Sequence, residues 1–241
     1  MGPLIRFSLR QIAGPRRLAL IVGLCVLPVG LAALLAVFAP PGSGYSRGFV
    51  NGLVDGAVVA IVLPLVTMVL ATTAFGNELE DRTLGYLALT PAPRRWIALS
   101  KFAAGFLVAG PLLVVSGVVS TLIGLDGDLG AATAVAVSLL AGTLAYTAIF
   151  LWAGLISARA LYFALVYVFL WEGVLSTFLG GIRYLSIRGY TLAILHGIDG
   201  EAFRSLGPRV IEFPAALVGV GVVTLCFIWL TVRRLGRMDI P

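Results

Sequence analysis

Charge is scarce in this chain of 241 residues: 12% of its side chains are Asp, Glu, Lys or Arg, about half of the roughly 25% usual in soluble domains. With 60% of its residues hydrophobic, a chain of this size has no water-soluble core large enough to hide so much apolar surface. An ordinary soluble domain is excluded, and lipid is the solvent for most of the chain. Lysine is scarcer still. Lys101 is the single one, against 16 Arg, and it stands between Ser100 and Phe102. A P-loop needs Gly-Lys-Ser/Thr so that backbone amides and the Lys can hold phosphates, and that sequence cannot be written here. Histidine occurs once, as His196. This excludes an H-E-x-x-H zinc site, and no G-x-S-G stretch supports a Ser–His protease. Cys25 and Cys226 both fall in apolar runs. They are too far apart for a local metal motif and suggest no extracellular disulfide framework, so both read as buried small hydrophobes. No catalytic residue, metal site or bound cofactor is expected in this chain. The positive balance, +6, comes without a basic, aromatic-interleaved domain, so no nucleic-acid partner is expected; the charges sit between apolar runs, where they orient a protein in a bilayer.

What the chain has in quantity is long apolar runs. A helix crosses a bilayer with about 20 mainly apolar residues, and six stretches qualify: 18–39 (with Pro28 inside it), 56–77, 102–125, 131–156, 161–179 and 213–232. The fifth is interrupted by Glu172. The expected fold is an all-α integral membrane protein of six transmembrane helices, a single transmembrane domain over 1–241. The first run has 22 residues without a charge, too long for a signal-peptide core, and Arg6 stands where a myristoylation signal wants Ser or Thr. In 1–17, Leu4, Ile5, Leu9 and Ile12 oppose Arg6 and Arg10, which suits an arm lying in the membrane interface; a frayed leader is the alternative. With six spans, twelve of the 17 Lys and Arg fall on the face that carries both termini and five on the other. The excess puts both termini in the cytoplasm of a plasma or inner membrane.

One stretch breaks the apolar pattern: FGNELEDRTLGYLALTPAPRRWIALSK, from Phe75 to Lys101. Three acids, Glu78, Glu80 and Asp81, precede Arg82. Thr83, Leu84, Leu87 and Thr90 are spaced to share one face of a short helix, which Pro91 and Pro93 end. Arg94 and Arg95 then mark the re-entry into the third span. On spacing alone, an ordinary loop whose charges obey topology remains open. The order E-x-E-D-R-T-L-x-x-L-x-x-T-P-x-x-R-x-x-x-x-x-K resembles the cytoplasmic loop of type-2 ABC transporter permeases, through Glu78, Glu80, Thr83, Leu84, Leu87, Pro91, Arg94 and Lys101. Arg82 stands where many members have Gly. A second segment, WEGVLSTFLGGIRYLSIRGYTLAIL, resembles the family's stretch from the fifth span into short external helices that dip back into the membrane, through Glu172, Arg183, Leu185, Ser186 and Tyr190.

The resemblance implies the membrane permease of an ABC exporter, with the 78–95 loop as a coupling helix seated on a separate ATPase subunit. Contacts to that subunit would fall on Glu78, Glu80, Asp81, Arg82, Thr83, Leu84, Leu87, Pro91 and Arg94. Glu172, Arg183, Ser186 and Tyr190 would line the translocation path or an external gate. The implied partners are two ABC ATPase subunits, which bind the ATP and Mg, and a second permease chain. Glu172 near mid-span is either an anchor for the dipping segment or part of the path. A secondary transporter or channel using Glu172, with Asp55, as an ion or proton site is the competing reading.

Overall fold

A computed structural model describes residues 14–38, 45–80, 93–157, 159–170, 185–209 and 211–237. Among these the regular structure is helical, with no strand. In chain order come α1 (Pro15–Phe38), α2 (Tyr45–Gly52), a π-helical stretch (Leu53–Val62), α3 (Leu63–Glu80), α4 (Arg94–Gly124), α5 (Leu129–Ile156), α6 (Ala160–Tyr167), α7 (Ile187–Ile198), a 3₁₀ turn (Arg204–Arg209) and α8 (Phe213–Arg237). Among the described residues five stretches are long and apolar enough to cross a membrane: Arg17–Phe38, Gly48–Gly76, Arg94–Gly124, Leu129–Ile156 and Phe213–Arg237. Of the expected span over 161–179, the described part is α6 and the helical residues to Leu170; the N-terminal arm to residue 13 lies outside the described residues.

Several helices outrun their expected bounds, and always where a polar residue has found a partner. The second rod starts at Tyr45 rather than at 56, because Asn51 Nδ2 donates to Ser205 Oγ at 2.9 Å and Val50 packs fully buried on Gly124. The third starts at Arg94 rather than at 102, since Arg94 and Lys101 are both bonded within the bundle. The last continues to Arg237 rather than stopping at 232, with the Leu235 and Gly236 carbonyls of its final turn accepting from Arg94.

α5 is the central helix. Of its membrane-length window 67% is buried, against 22% for α1 and 17% for α8. Its sequence explains the position: Ala, Gly, Ser and Thr recur along LGAATAVAVSLLAGTLAYTAIFLWAGLI, and small residues let helix backbones approach closely in lipid. A Cβ on Gly142 would meet Leu63 at 2.8 Å and Thr191 Oγ1 at 2.6 Å; on Gly154 it would meet the Thr72 carbonyl oxygen at 2.5 Å. α3 and α5 therefore run side by side in the same direction, while α7 reaches the middle of α5. Several buried hydroxyls answer their own helices: Thr67 donates to Leu63 O (2.7 Å), Thr72 to Met68 O (2.6 Å) and Thr143 to Leu139 O (2.6 Å), which satisfies them without water. Ser116 instead donates across to Cys25 O of α1 at 2.5 Å.

The α4–α5 turn is tight, with Asp126 at φ 50° and Gly127 at φ 85°. Asp128 then caps α5 by accepting from Ala131 N at 3.1 Å. Of the two cysteines only Cys25 is buried. Cys226 is exposed on the outer side of α8, because a membrane helix turns apolar side chains toward lipid as well as inward.

Candidate functional site

The bundle has two chemically distinct ends. At one, the C-termini of α3, α5 and α8 meet the N-terminus of α4, and the charges are Arg94, Arg95, Lys101, Arg233, Arg234 and Arg237, with Glu78 among them. At the other, Asp128 and Asp199 lie beside Gly130, at the start of α5 and the end of α7, and Asp55 meets Arg188 in the first turn of α7. We call these the basic and the acidic end.

The basic end carries both stems of the charged loop. Lys101, 3% exposed, donates to Glu78 Oε1 at 2.6 Å and to the Ala74 carbonyl, and its Nζ lies 4.7 Å above the Phe75 ring. Glu78 is 4% exposed. The family resemblance placed it among the residues offered to an ATPase, but in the structure it is held inside the bundle, joining the last turn of α3 to the second turn of α4. A buried ion pair of this kind is weak as a net stabiliser, because both charges must be desolvated; removing one partner is costly, since it strands the other. On the far stem, Arg94 donates through one guanidinium nitrogen to Leu235 O (2.5 Å) and Gly236 O (3.2 Å). These carbonyls belong to the last turn of α8, where no intrahelical donor is available. The loop thus leaves α3 beside a buried ion pair and enters α4 beside a cap on α8. Three rods are tied together at its base.

Of the other loop positions, Glu80 is the last residue of α3. Asp81, Arg82, Thr83, Leu84, Leu87 and Pro91 lie outside the described residues, and with them the expected short helix.

At the acidic end, α7 lies against α5 and α8. Ser186 caps it, accepting from Gly189 N at 3.0 Å, and Tyr190, 8% exposed, lies over Gly219, where a Cβ would come within 2.5 Å of the ring. Burial holds the Tyr190 phenol above its usual pKa range. Both residues, expected on the path or gate, pack the short helix into the bundle. Glu172 and Arg183 lie outside the described residues.

Two further contacts hold α7 and its following turn, through Arg188 and His196, which carry no assignment in the sequence, and through Asp55, named there only as an ion or proton site. Arg188 Nη2 and Nε donate to Asp55 Oδ1 at 2.6 and 3.0 Å, both side chains about one-fifth exposed. His196 Nδ1 lies 3.2 Å from Phe203 O. Asp55 sits in the π-helical stretch, a winding that is rare and concentrated at functional sites. The available signal was a lone Asp in an apolar run, a position that demands a partner.

Residues 16–185 match the family model described as "ABC-2 family transporter protein". No curated protein matches the chain.

Proposed function

The chain belongs to the ABC-2 transporter family, and from that premise we propose that it is the membrane permease of an ATP-driven exporter, coupled to a separate ABC ATPase through the 78–95 loop. The observation that carries this reading is the double fastening of the loop's base. A load applied to residues 81–92 passes through Glu78–Lys101 into α3 and α4, and through Arg94 into α8. A loop that served topology alone would need charges at this end, but no such tie between three rods. In this reading Glu78 is an anchor. The contact surface is formed by Glu80, Asp81, Arg82, Thr83, Leu84, Leu87 and Pro91, with ATP and Mg held by the ATPase.

The basic end then faces the cytoplasm, as the bias of Lys and Arg toward that side requires. The stretch 161–179 supplies the fifth of six spans, and a second permease chain completes the path. α7 covers the outer end of the bundle, with Arg188–Asp55 as its latch. The secondary-transporter reading loses its second acid, since Asp55 is neutralised by Arg188.

The test is purification of the tagged chain from its native membrane, with associated proteins identified by mass spectrometry. An ABC-type ATPase is expected with the wild-type chain and in much reduced amount with Leu87→Asp. Recovery of the chain without any ATPase, under conditions that keep the membrane complex intact, would refute coupling.

A further inference from the structure

Between the last turns of α5 and α8, at the basic end, lies a cavity of about 480 Å³ lined by Trp152, Leu230, Arg233, Arg234 and Arg237. Its floor is apolar. Trp152 meets Phe227 edge to face at 5.3 Å between ring centroids, beside Leu230. Its mouth is cationic, with three guanidinium groups drawn from little more than one helical turn. Arg233 lies 5.0 Å over the Trp229 ring, and among the described residues no carboxylate forms an ion pair with any of the three.

Two ordinary explanations leave this arrangement unaccounted for. Cations complement the negative end of a helix, but the Leu235 and Gly236 carbonyls of α8 already accept from Arg94. Charge bias across a membrane asks for Lys and Arg at this end; it does not ask them to converge on one concave site, where like charges one turn apart repel. The surface that leads to the site is also specific. Val218, Val222, Leu225 and Trp229 are exposed along α8 at steps of four, three and four residues, and the next step of four on the same stripe is Arg233. A ligand that follows this track is apolar over most of its length and anionic at its head.

We propose that the cavity seats the headgroup of an anionic phospholipid, with its phosphate on Arg233, Arg234 and Arg237 and its acyl chains along the Val218–Trp229 stripe. Guanidinium forks match phosphate oxygens in pairs. Basic pockets between membrane helices are suited to acidic headgroups, and Trp belongs at this depth of the bilayer. The bound lipid neutralises the mutual repulsion of the three cations and fills the gap between α5 and α8. The site is independent of the coupling loop and of which partner that loop meets.

The test uses the chain purified in a neutral detergent with whatever subunits accompany it. Binding and thermal unfolding are followed while dioleoylphosphatidylglycerol, dioleoylphosphatidylcholine or inorganic phosphate is added. Saturable binding of the phosphatidylglycerol with a raised unfolding midpoint is expected, with no such response to the phosphatidylcholine. The triple change Arg233→Gln, Arg234→Gln and Arg237→Gln is expected to weaken that binding about tenfold or more, taking each surface cation as a several-fold contribution. The corresponding triple Lys variant, which keeps the charge but not the paired fork, falls between the wild type and the Gln variant. Leu230→Trp fills the floor with every charge in place, and it too is expected to lose the lipid; it decides the matter if the Gln variant does not accumulate. Equal binding of the two lipids, or unchanged phosphatidylglycerol affinity in both the Gln and the Trp variants, overturns the proposal. So does an equal shift from inorganic phosphate, which makes the site one for a free anion. Loss of a co-purifying subunit in the Gln variant with lipid binding intact also overturns it, and makes the patch a protein-docking surface.

Discussion

Lys101 is the single lysine of the chain, and it is buried within the third membrane rod. Burial of an ammonium group is tolerable there because Glu78, the Ala74 carbonyl and the Phe75 ring all face it. Removing either charge leaves the other stranded, at a cost of about 3–5 kcal/mol in buried pairs. Lys101→Met and Glu78→Gln are each expected to lower the unfolding midpoint markedly in detergent. The double change Glu78→Leu with Lys101→Met should recover most of the loss, since a well-packed apolar pair often replaces a buried ion pair without penalty. A Glu78→Gln variant that melts like the wild type would show that the pair carries no structural load. Glu80 separates structure from function at the same place. Glu80→Lys, two residues along, is expected to leave the midpoint within the about 0.5 kcal/mol typical of surface changes and to reduce ATPase co-purification. If Glu80→Lys and Glu78→Gln behave alike, the division between anchor and contact residue is wrong.

At the scale of elements, α7 is the piece most dependent on side-chain chemistry. It has 12 residues, too few to be stable alone in water, and it is held by the Ser186 cap, by Tyr190 against Gly219 and by Arg188 on Asp55. Asp55→Asn and Arg188→Gln should each destabilise modestly and fail to add. The double-mutant coupling is expected at the lower end of the about 0.5–3 kcal/mol range for contacting residues, because both side chains are partly exposed. Strict additivity in thermal unfolding would mean that the pair is not a latch. Gly219→Leu, driving a side chain into the Tyr190 ring, is expected to cost about 1–3 kcal/mol through overpacking; a Leu variant as stable as the wild type would remove Tyr190 from the packing of α8. These elements also show what was legible in the sequence. Apolar runs located all five rods, because a membrane helix answers to length and hydrophobicity before anything else. Their ends were misplaced by up to eleven residues, since Tyr45–Gly52 and Arg94–Lys101 look like loop until Ser205, Glu78 and Leu235 are brought near. The charged loop stood out by composition and motif order. Its anchor did not, because the burial of Glu78 depends on where Lys101 arrives 23 residues later, and no local pattern encodes that meeting.

Across the whole molecule, among the described residues, Arg94, Lys101 and the arginines of α8 lie at the end that carries the loop, and Asp55, Asp128 and Asp199 lie at the other, where Arg188 is held on Asp55. The transport reading requires the basic end to be inside, where an ATPase can reach it. Orientation is therefore the first thing to measure, after Cys25 and Cys226 have been replaced by Ala. Cysteines placed singly at Ser43 and His196 are expected to react with a membrane-impermeant thiol reagent added to intact cells, and one at Arg237 only after lysis. Labelling of Arg237→Cys from outside would invert the protein and remove the loop from any cytoplasmic partner. With orientation fixed, coupling itself can be tested in the assembled complex. Leu87→Asp puts a charge in the middle of the proposed contact ridge but leaves Glu78–Lys101 and Arg94–Leu235 untouched, so its unfolding midpoint should match the wild type. ATP hydrolysis by the partner, if the complex still forms, is expected to continue without transport. A Leu87→Asp complex that transports at the wild-type rate would leave the loop as plain topology, and the fastening of its stems as a matter of stability alone.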